Sequence, residues 1–329
     1  MVAIPTETVY GLAARIYDPV ALQNIFITKK RPFFDPLIIH VCSIDQAKTL
    51  VRSWPREAQI LAEAFWPGPL TLVLEKTSQV SDLITSGLTT VGIRMPRHEL
   101  TLKLIEDLGE PVAAPSANIF GRTSPTLARH VRDEFPVGAV SILDGGPCEV
   151  GIESTILSLV QGDKSMSGVS GFNLQILRQG MLKESEIQNA LESKGLVNSV
   201  DFMWRKSGDS AAPQAPGQLK HHYMPTKPLI WVSEPIPLDE ILRRVRNSIV
   251  DLPRVVEGVQ LIKPNKIETA EFLQLSSSVE VAARELYAEM RRAADTPCDI
   301  LVFLLRPEHA GSEWNPILDR LRKAASLTL

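Results

Sequence analysis

Cysteine is scarce in this chain: Cys42, Cys148 and Cys298 lie far apart among 329 residues, with no CxxC pair. That spacing excludes a disulfide framework and a zinc site built on paired thiolates, and it fits a reducing, cytoplasmic setting. Long apolar runs are missing as well. None approaches the roughly 18 residues that span a bilayer, and no basic start leads into an apolar stretch with a cleavage site, so no membrane partner is expected. Nor is there an excess of charge: 35 Lys and Arg stand against 38 Asp and Glu, a formal net charge of -3. Without a basic field to gather phosphates, direct nucleic-acid binding is not expected, and any link to RNA is indirect. The common nucleotide and hydrolase signatures are absent too. The chain has no GxxxxGK(S/T) loop, no GxGxxG turn after a strand, no GxSxG elbow and no HExxH pair, so the enzyme classes built on them lose weight.

What is present is globular in composition, 44% hydrophobic and 22% charged, and long for one core. Two domains are expected. Over residues 1–192, short apolar runs alternate with helical patterns, as in an α/β domain. Strands are predicted over 37–41, 70–74, 91–94, 140–143, 155–159 and 174–177. A helix entered at Asp18-Pro19 ends near Lys29, and Ser124-Pro125-Thr126 reads as the entrance to another over 127–134. Over 193–228 the periodicity gives way to Ser, Gly and Pro, the composition of a linker. A small α/β domain then fills 229–329, with strands over 229–232 and 300–304 and helices over 238–248, 279–293 and up to Ala325. Val2-Ala3-Ile4 already reads as a strand, followed at once by Pro5-Thr6-Glu7-Thr8. The chain therefore reads as starting inside its fold, with a strand edge and part of the core expected to be exposed.

Polar clusters fall at the ends of the predicted strands, where open α/β sheets bind ligands. Pro5 to Gly11 crowds hydroxyls and a carboxylate into one turn, which an ordinary helix cap also explains. Lys29-Lys30-Arg31-Pro32, with Asp35 and His40 following, offers cations that suit a polyphosphate or simply a solvated helix end. Arg94 is embedded in the apolar strand after Thr90, where it either holds a structural carboxylate or reads an anionic substrate. Ala114-Pro115-Ser116-Ala117-Asn118 and Ser124 combine small residues with groups that can bind phosphate or magnesium water, or can merely cap a turn. Gly151 to Thr155, containing Ser154, and Leu177-Arg178-Gln179-Gly180 are each no more than a turn alone. In the linker, Pro216-Gly217 and His221-His222-Tyr223-Met224-Pro225 are too rich for a spacer. They read as a loop covering an active site or as a docking segment.

In order along the chain, PTETVYG, KxRP, His40, GIRMP, APSAN, SPT, GIEST and PG…HHYMP resemble the threonylcarbamoyl-AMP synthases in their two-domain form. The resemblance covers nearly the whole sequence. It implies a YrdC-like twisted mixed sheet with helices, then a smaller Rossmann-like α/β domain. The implied reaction joins L-threonine, bicarbonate and ATP into threonylcarbamoyl-AMP and pyrophosphate, with Mg2+ accompanying ATP and no protein nucleophile. A downstream tRNA threonylcarbamoyl transferase complex is the implied recipient. Matched motif by motif, Thr8, His40, Arg94, Ala114 and Ser154 would form the threonine pocket, with Arg94 against the carboxylate. Lys29, Arg31, Asp35, Thr90, Ser116, Asn118, Ser124, Arg178 and Tyr223 would surround the nucleotide. Among these, Lys29 and Arg31 would compensate phosphate charge, Ser116 and Asn118 would hold phosphate or, indirectly, metal, and Tyr223 would bring the linker over as a lid.

Asp35 departs from the family pattern, standing where Asn is usual, and its carboxylate would repel phosphate. Ala13 for glycine and Gln179 for proline are tolerable departures. Two other readings stay open: a carbamoyl-adenylate transferase, disfavoured because its extra acylphosphatase-like and zinc-finger portions are missing, and a double-stranded RNA-binding module, disfavoured by net acidity. Arg94→Ala is expected to raise the threonine requirement while leaving the fold intact.

Overall fold

The computed structural model describes residues 1–161, 172–196, 213, 215–218, 222–248 and 267–329. The linker run 207–212 and the residues 219–221, His221 among them, lie outside the described residues.

Among the described residues, the first sheet takes nine strands: β1 (Val2–Ile4), β2 (Gly11–Arg15), β3 (Ile38–His40), β4 (Leu70–Glu75), β5 (Thr90–Arg94), β6 (Val112–Ala113), β7 (Ser141–Ile142), β8 (Thr155–Gln161) and β9 (Phe172–Arg178). Their order is β7-β1-β2-β6-β3-β5-β4-β8-β9, with parallel and antiparallel neighbours mixed. All seven strands predicted for this part of the chain, residues 2–4 included, are present, most shifted by a residue or two at their ends. β1 is hydrogen-bonded on both sides, to β2 and to β7, and Ala3 and Ile4 are fully buried. Neither edge of β1 is open: its partners are residues 11–13, in a strand whose Gly-Leu-Ala-Ala-Arg sequence carries little strand propensity, and 141–142 from far along the chain.

The helices of this part are α1 (Pro19–Lys29), α2 (Ile44–Lys48), α3 (Arg56–Phe65), α4 (Asp82–Thr85), α5 (Glu99–Leu108), α6 (Ala128–Glu134) and α7 (Glu184–Glu192). α1 starts as predicted, since Asp18 accepts from the amide of Ala21 and Pro19 opens the first turn. It ends when Lys30 enters the left-handed region at φ 52°. α6 begins at Ala128 because Leu127 is still extended, and the ring of His130 caps the amide of Thr126. Leu22, Ile25 and Phe26 of α1 join Ile39, Leu72, Ile93, Leu157, Ile187 and Leu191 in the main core.

The second sheet is parallel throughout, β11-β12-β10-β13, built from β10 (Leu229–Val232), β11 (Ala270–Phe272), β12 (Ile300–Leu304) and β13 (Ala325–Thr328). Around it lie α8 (Leu238–Ser248), α9 (Val279–Asp295) and α10 (Asn315–Ala324). The last helix stops a residue short of the predicted end because residues 325–328 pair with β10. The two parts share a core. Val9, Ile152 and Tyr223 pack with Leu286, Tyr287, Met290, Trp314 and Leu321. Gly151, at φ 80°, lies against the backbone of α9, where a side chain would collide with Ala283 and Arg284. No helix among the described residues is long and apolar enough to cross a membrane.

Candidate functional site

β3 and β5 run parallel with His40 opposite Arg94, so both side chains leave the sheet at the carboxyl ends of their strands. Beside them, the turn at residues 6–9 is held by the Thr6 hydroxyl, which accepts from the amides of Thr8 and Val9 and donates to the Val9 carbonyl. This presents Thr8 and Glu7 to Arg94. The guanidinium donates to Thr8 Oγ1 at 2.8 Å and pairs with Glu7 Oε2 at 2.8 Å. Both readings of Arg94 therefore meet in one place: it holds a structural carboxylate and also lines a cavity. Arg94 Nε and Glu7 Oε1 are buried without a hydrogen-bond partner.

That cavity is lined by Thr8, His40, Arg94, Ala114 and Ser154, the whole set expected for threonine. Arg31, Ser116, Arg178 and Tyr223 from the nucleotide set line it too, with Pro216, Gly217 and His222 from the linker. Its volume is about 50 Å³, against about 300 Å³ or more for a site that holds a small-molecule ligand.

Other expected residues stand behind this surface. Lys29, at the end of α1, is buried and donates to the Ser116 carbonyl at 2.6 Å and to the Asn118 carbonyl. Its ammonium holds the 116–118 turn in place; burial and then the neighbouring Arg31 drive its pKa well below the ordinary lysine value. Asp35 lies beneath Arg31, pairing with it at 2.9 Å. Arg31 also donates to the carbonyls of Asp35 at 3.0 Å and Pro36 at 2.8 Å. Asn118 donates to the carbonyls of Ile119 and Arg122, while its Oδ1 is buried with no partner. Ser124 donates to Glu153 at 2.7 Å. Thr90 lines a smaller neighbouring cavity that shares Ile38 and Pro216 with the main one.

Arg178 ties three walls together. It donates to the Ser154 carbonyl and hydroxyl, each at 3.1 Å, and to the Pro216 carbonyl at 3.2 Å. Tyr223, at φ 64°, has a buried hydroxyl without a partner, and its ring stacks on Tyr287 at 5.7 Å. The residues that sequence reasoning passed over are Glu7, Glu153 and His222, which stood unassigned inside recognised motifs, and Tyr287 and Arg320. For the last two the sequence carried no signal, because both sit in amphipathic helices where polar side chains read as a solvated face.

His40, His130 and His222 are all buried. Burial first, then nearby guanidiniums, hold each imidazole near a pKa of about 3. The His40 Nδ1 faces the Ile38 carbonyl at 3.2 Å. A carbonyl only accepts, so Nδ1 carries the proton and Nε2 is left as an acceptor. The unfolded chain protonates these rings below about pH 6.5, whereas the folded chain resists until about pH 3. The unfolded state thus binds more protons in that window, and stability falls as pH drops from 6.5 toward 3, by about 1.4 kcal/mol per unit for each ring. Urea midpoints across this range are expected to decline below pH 6.5, and His130→Asn should flatten the slope.

Guanidiniums and hydroxyls converging at strand ends suit an α/β enzyme that would work by neutralising charge and positioning substrates. Among the described residues no hydroxyl of the cavity wall hydrogen-bonds a histidine. A family model described as "Telomere recombination" matches residues 1–180, and one described as "Threonylcarbamoyl-AMP synthase, C-terminal domain" matches residues 182–326. Threonylcarbamoyl-AMP synthase of Pyrococcus abyssi is 38% identical over 99% of this chain and 90% of its own length, and that of Bacillus subtilis 33% identical over 99% and 89%. The crystal structure of P. abyssi Sua5 complexed with L-threonine superimposes with a TM-score of 0.78 at 35% identity, covering 100% of this chain and 92% of the other. This chain belongs to the threonylcarbamoyl-AMP synthase family, ATP-using enzymes that transfer an adenylyl group.

Proposed function

We propose that this chain makes threonylcarbamoyl-AMP from L-threonine, bicarbonate and ATP in the cavity beside Arg94, for use by a separate tRNA threonylcarbamoyl transferase complex. The observation that carries the assignment of sites is that all five side chains expected for threonine, and four of those expected for nucleotide, wall one cavity. Threonine's carboxylate takes the Arg94 guanidinium and the Thr8 hydroxyl. His40 Nε2, kept neutral by burial, accepts a hydrogen from the amino acid. The amine captures the carbon of bicarbonate with loss of water, and the resulting carbamate oxygen attacks the α-phosphorus of ATP while pyrophosphate leaves. Arg31 and Arg178 face the charge that develops on the phosphates, and Lys29 keeps the Ser116–Asn118 turn in position beneath them.

Magnesium fits the donors at hand. The buried, unpartnered Asn118 Oδ1 is a hard oxygen that could accept from a magnesium-bound water, and Ser116, two residues away in the chain, lines the cavity. Bound there with ATP, the ion would neutralise phosphate charge. The linker residues Pro216, Gly217, His222 and Tyr223 form a lid that opens for the nucleotide and then excludes water from the anhydride. Three free thiols support a reducing compartment, the cytoplasm.

The test is pyrophosphate release from ATP. Release that requires both threonine and bicarbonate is expected. Release driven instead by carbamoyl phosphate would favour carbamoyl-adenylate transfer, and RNA binding without turnover would favour a binding module.

A further inference from the structure

We infer that Arg320 and Tyr287, both from the C-terminal part of the chain, are positioning residues of the reaction, acting on the cavity through the carboxylate of Glu153. The inference rests on the cavity being the site of the proposed synthesis.

Glu153 lines the cavity, next to Ser154 in the loop that precedes β8. Its carboxylate is almost entirely satisfied from the other side of the domain interface. Arg320 Nε of α10 donates to Oε2 at 3.1 Å, and the Tyr287 hydroxyl of α9 lies 3.0 and 2.9 Å from the two oxygens. Ser124 supplies the third donor. Arg320 is fully buried and continues the linkage: it donates to the Gln179 carbonyl, one residue from Arg178, and its guanidinium lies 5.8 Å from the Tyr223 ring. Arg178 in turn holds the Ser154 hydroxyl at 3.1 Å. One ion pair therefore reaches three residues of the cavity lining: Ser154, Arg178 and Tyr223.

The backbone agrees with this. Gly151 admits α9 to within contact, and a side chain at Gly180 would strike the backbone of Glu153, Ser154 and Thr155. The loop is thus clamped between the β9 turn and the second domain. A buried carboxylate with so many donors is more than a fold contact, since a shift of its loop moves two wall residues at once. The charges and titratable groups facing it are Arg178 from β9, His222 and Tyr223 from the linker, Tyr287 from α9 and Arg320 from α10, with Asp319 beside Arg320. Burial alone would lift the Glu153 carboxyl; Arg320 first, then Arg178, hold it at about 2 instead.

The experiment is threonine- and bicarbonate-dependent pyrophosphate release by the full chain at saturating bicarbonate, from pH 6 to 9, for wild type, Arg320→Met, Arg320→Lys and Tyr287→Phe. Arg320→Met is expected to lower kcat/KM for threonine about 100-fold, the size of a roughly 1 Å misplacement. Its activity relative to wild type should climb with pH as the no longer compensated Glu153 ionises. Arg320→Lys should recover at least about 10-fold of that loss, and Tyr287→Phe should lose about 10-fold by removing one hydrogen bond to a charged group. Folded variants with wild-type kcat/KM, or with a loss that is flat in pH and not relieved by lysine, overturn the inference. If Arg320→Met does not fold, Tyr287→Phe and Arg320→Lys decide it by the same readouts. A wild type that releases no pyrophosphate overturns the proposed reaction and this inference with it, whereas an active wild type with indifferent variants overturns the inference alone.

Discussion

Arg94→Ala is expected to raise the threonine concentration needed for half-maximal turnover by about 100-fold, and to lower stability by about 3–5 kcal/mol. The first effect follows from the loss of a charge-assisted contact to a carboxylate in a buried cavity. The second is a loss of stability and leaves the expected fold in place. Arg94 is paired with Glu7 at 2.8 Å, and both side chains are buried. Removing the cation strands a carboxylate, which still accepts from the amide of Arg97 at 3.0 Å but has lost its counter-charge. The two effects are separable. Arg94→Ala with Glu7→Gln should regain much of the stability, read as the urea midpoint, without regaining threonine affinity. A threonine dependence unchanged in Arg94→Ala would remove the residue from the pocket.

Arg31→Met should act on the other substrate, lowering kcat by about 100- to 1000-fold while threonine binding, measured by calorimetry, stays within about 2-fold of wild type. Arg31 lines the cavity with its guanidinium already fixed by the carbonyls of Asp35 and Pro36, so it meets the phosphates without reorganising. Asp35→Asn is the informative contrast. The carboxylate pairs with Arg31 at 2.9 Å and offsets part of the charge that the phosphates would feel. Asparagine keeps the backbone carbonyl that accepts from Arg31 Nε and removes the negative charge. The expected result is a KM for ATP several-fold lower than wild type. A higher KM would mean that the carboxylate itself orients the nucleotide.

How much of this was legible beforehand depends on how far apart the partners lie. The strands over 229–232 and 300–304 and the helix over 238–248 coincide with their predicted limits, because apolar periodicity is a local property. Thr8, His40, Arg94, Ala114 and Ser154 were grouped only through the resemblance of their motifs, and all five line one cavity. The pairings were not. Glu7 and Arg94 are 87 residues apart, and nothing near either one names the other. Arg320 and Glu153 are 167 apart, and an arginine within Asp-Arg-Leu-Arg-Lys reads as a solvated helix face until the partner is seen. The short strands were missed for a related reason. Residues 11–15 and 270–272 hold too few β-branched residues to declare themselves, and they are strands only because neighbours distant in sequence pair with them.

The central claim is that one cavity seats an amino acid beside a nucleotide. A structure of the chain with L-threonine and a non-hydrolysable ATP analogue bound tests it most directly. Threonine's carboxylate should lie on Arg94 and Thr8, with the α-phosphate facing its amino group and Arg31 on the phosphate chain. Threonine and nucleotide lodged in separate cavities, or Arg94 still bound to Glu7 alone with the amino acid elsewhere, would contradict it.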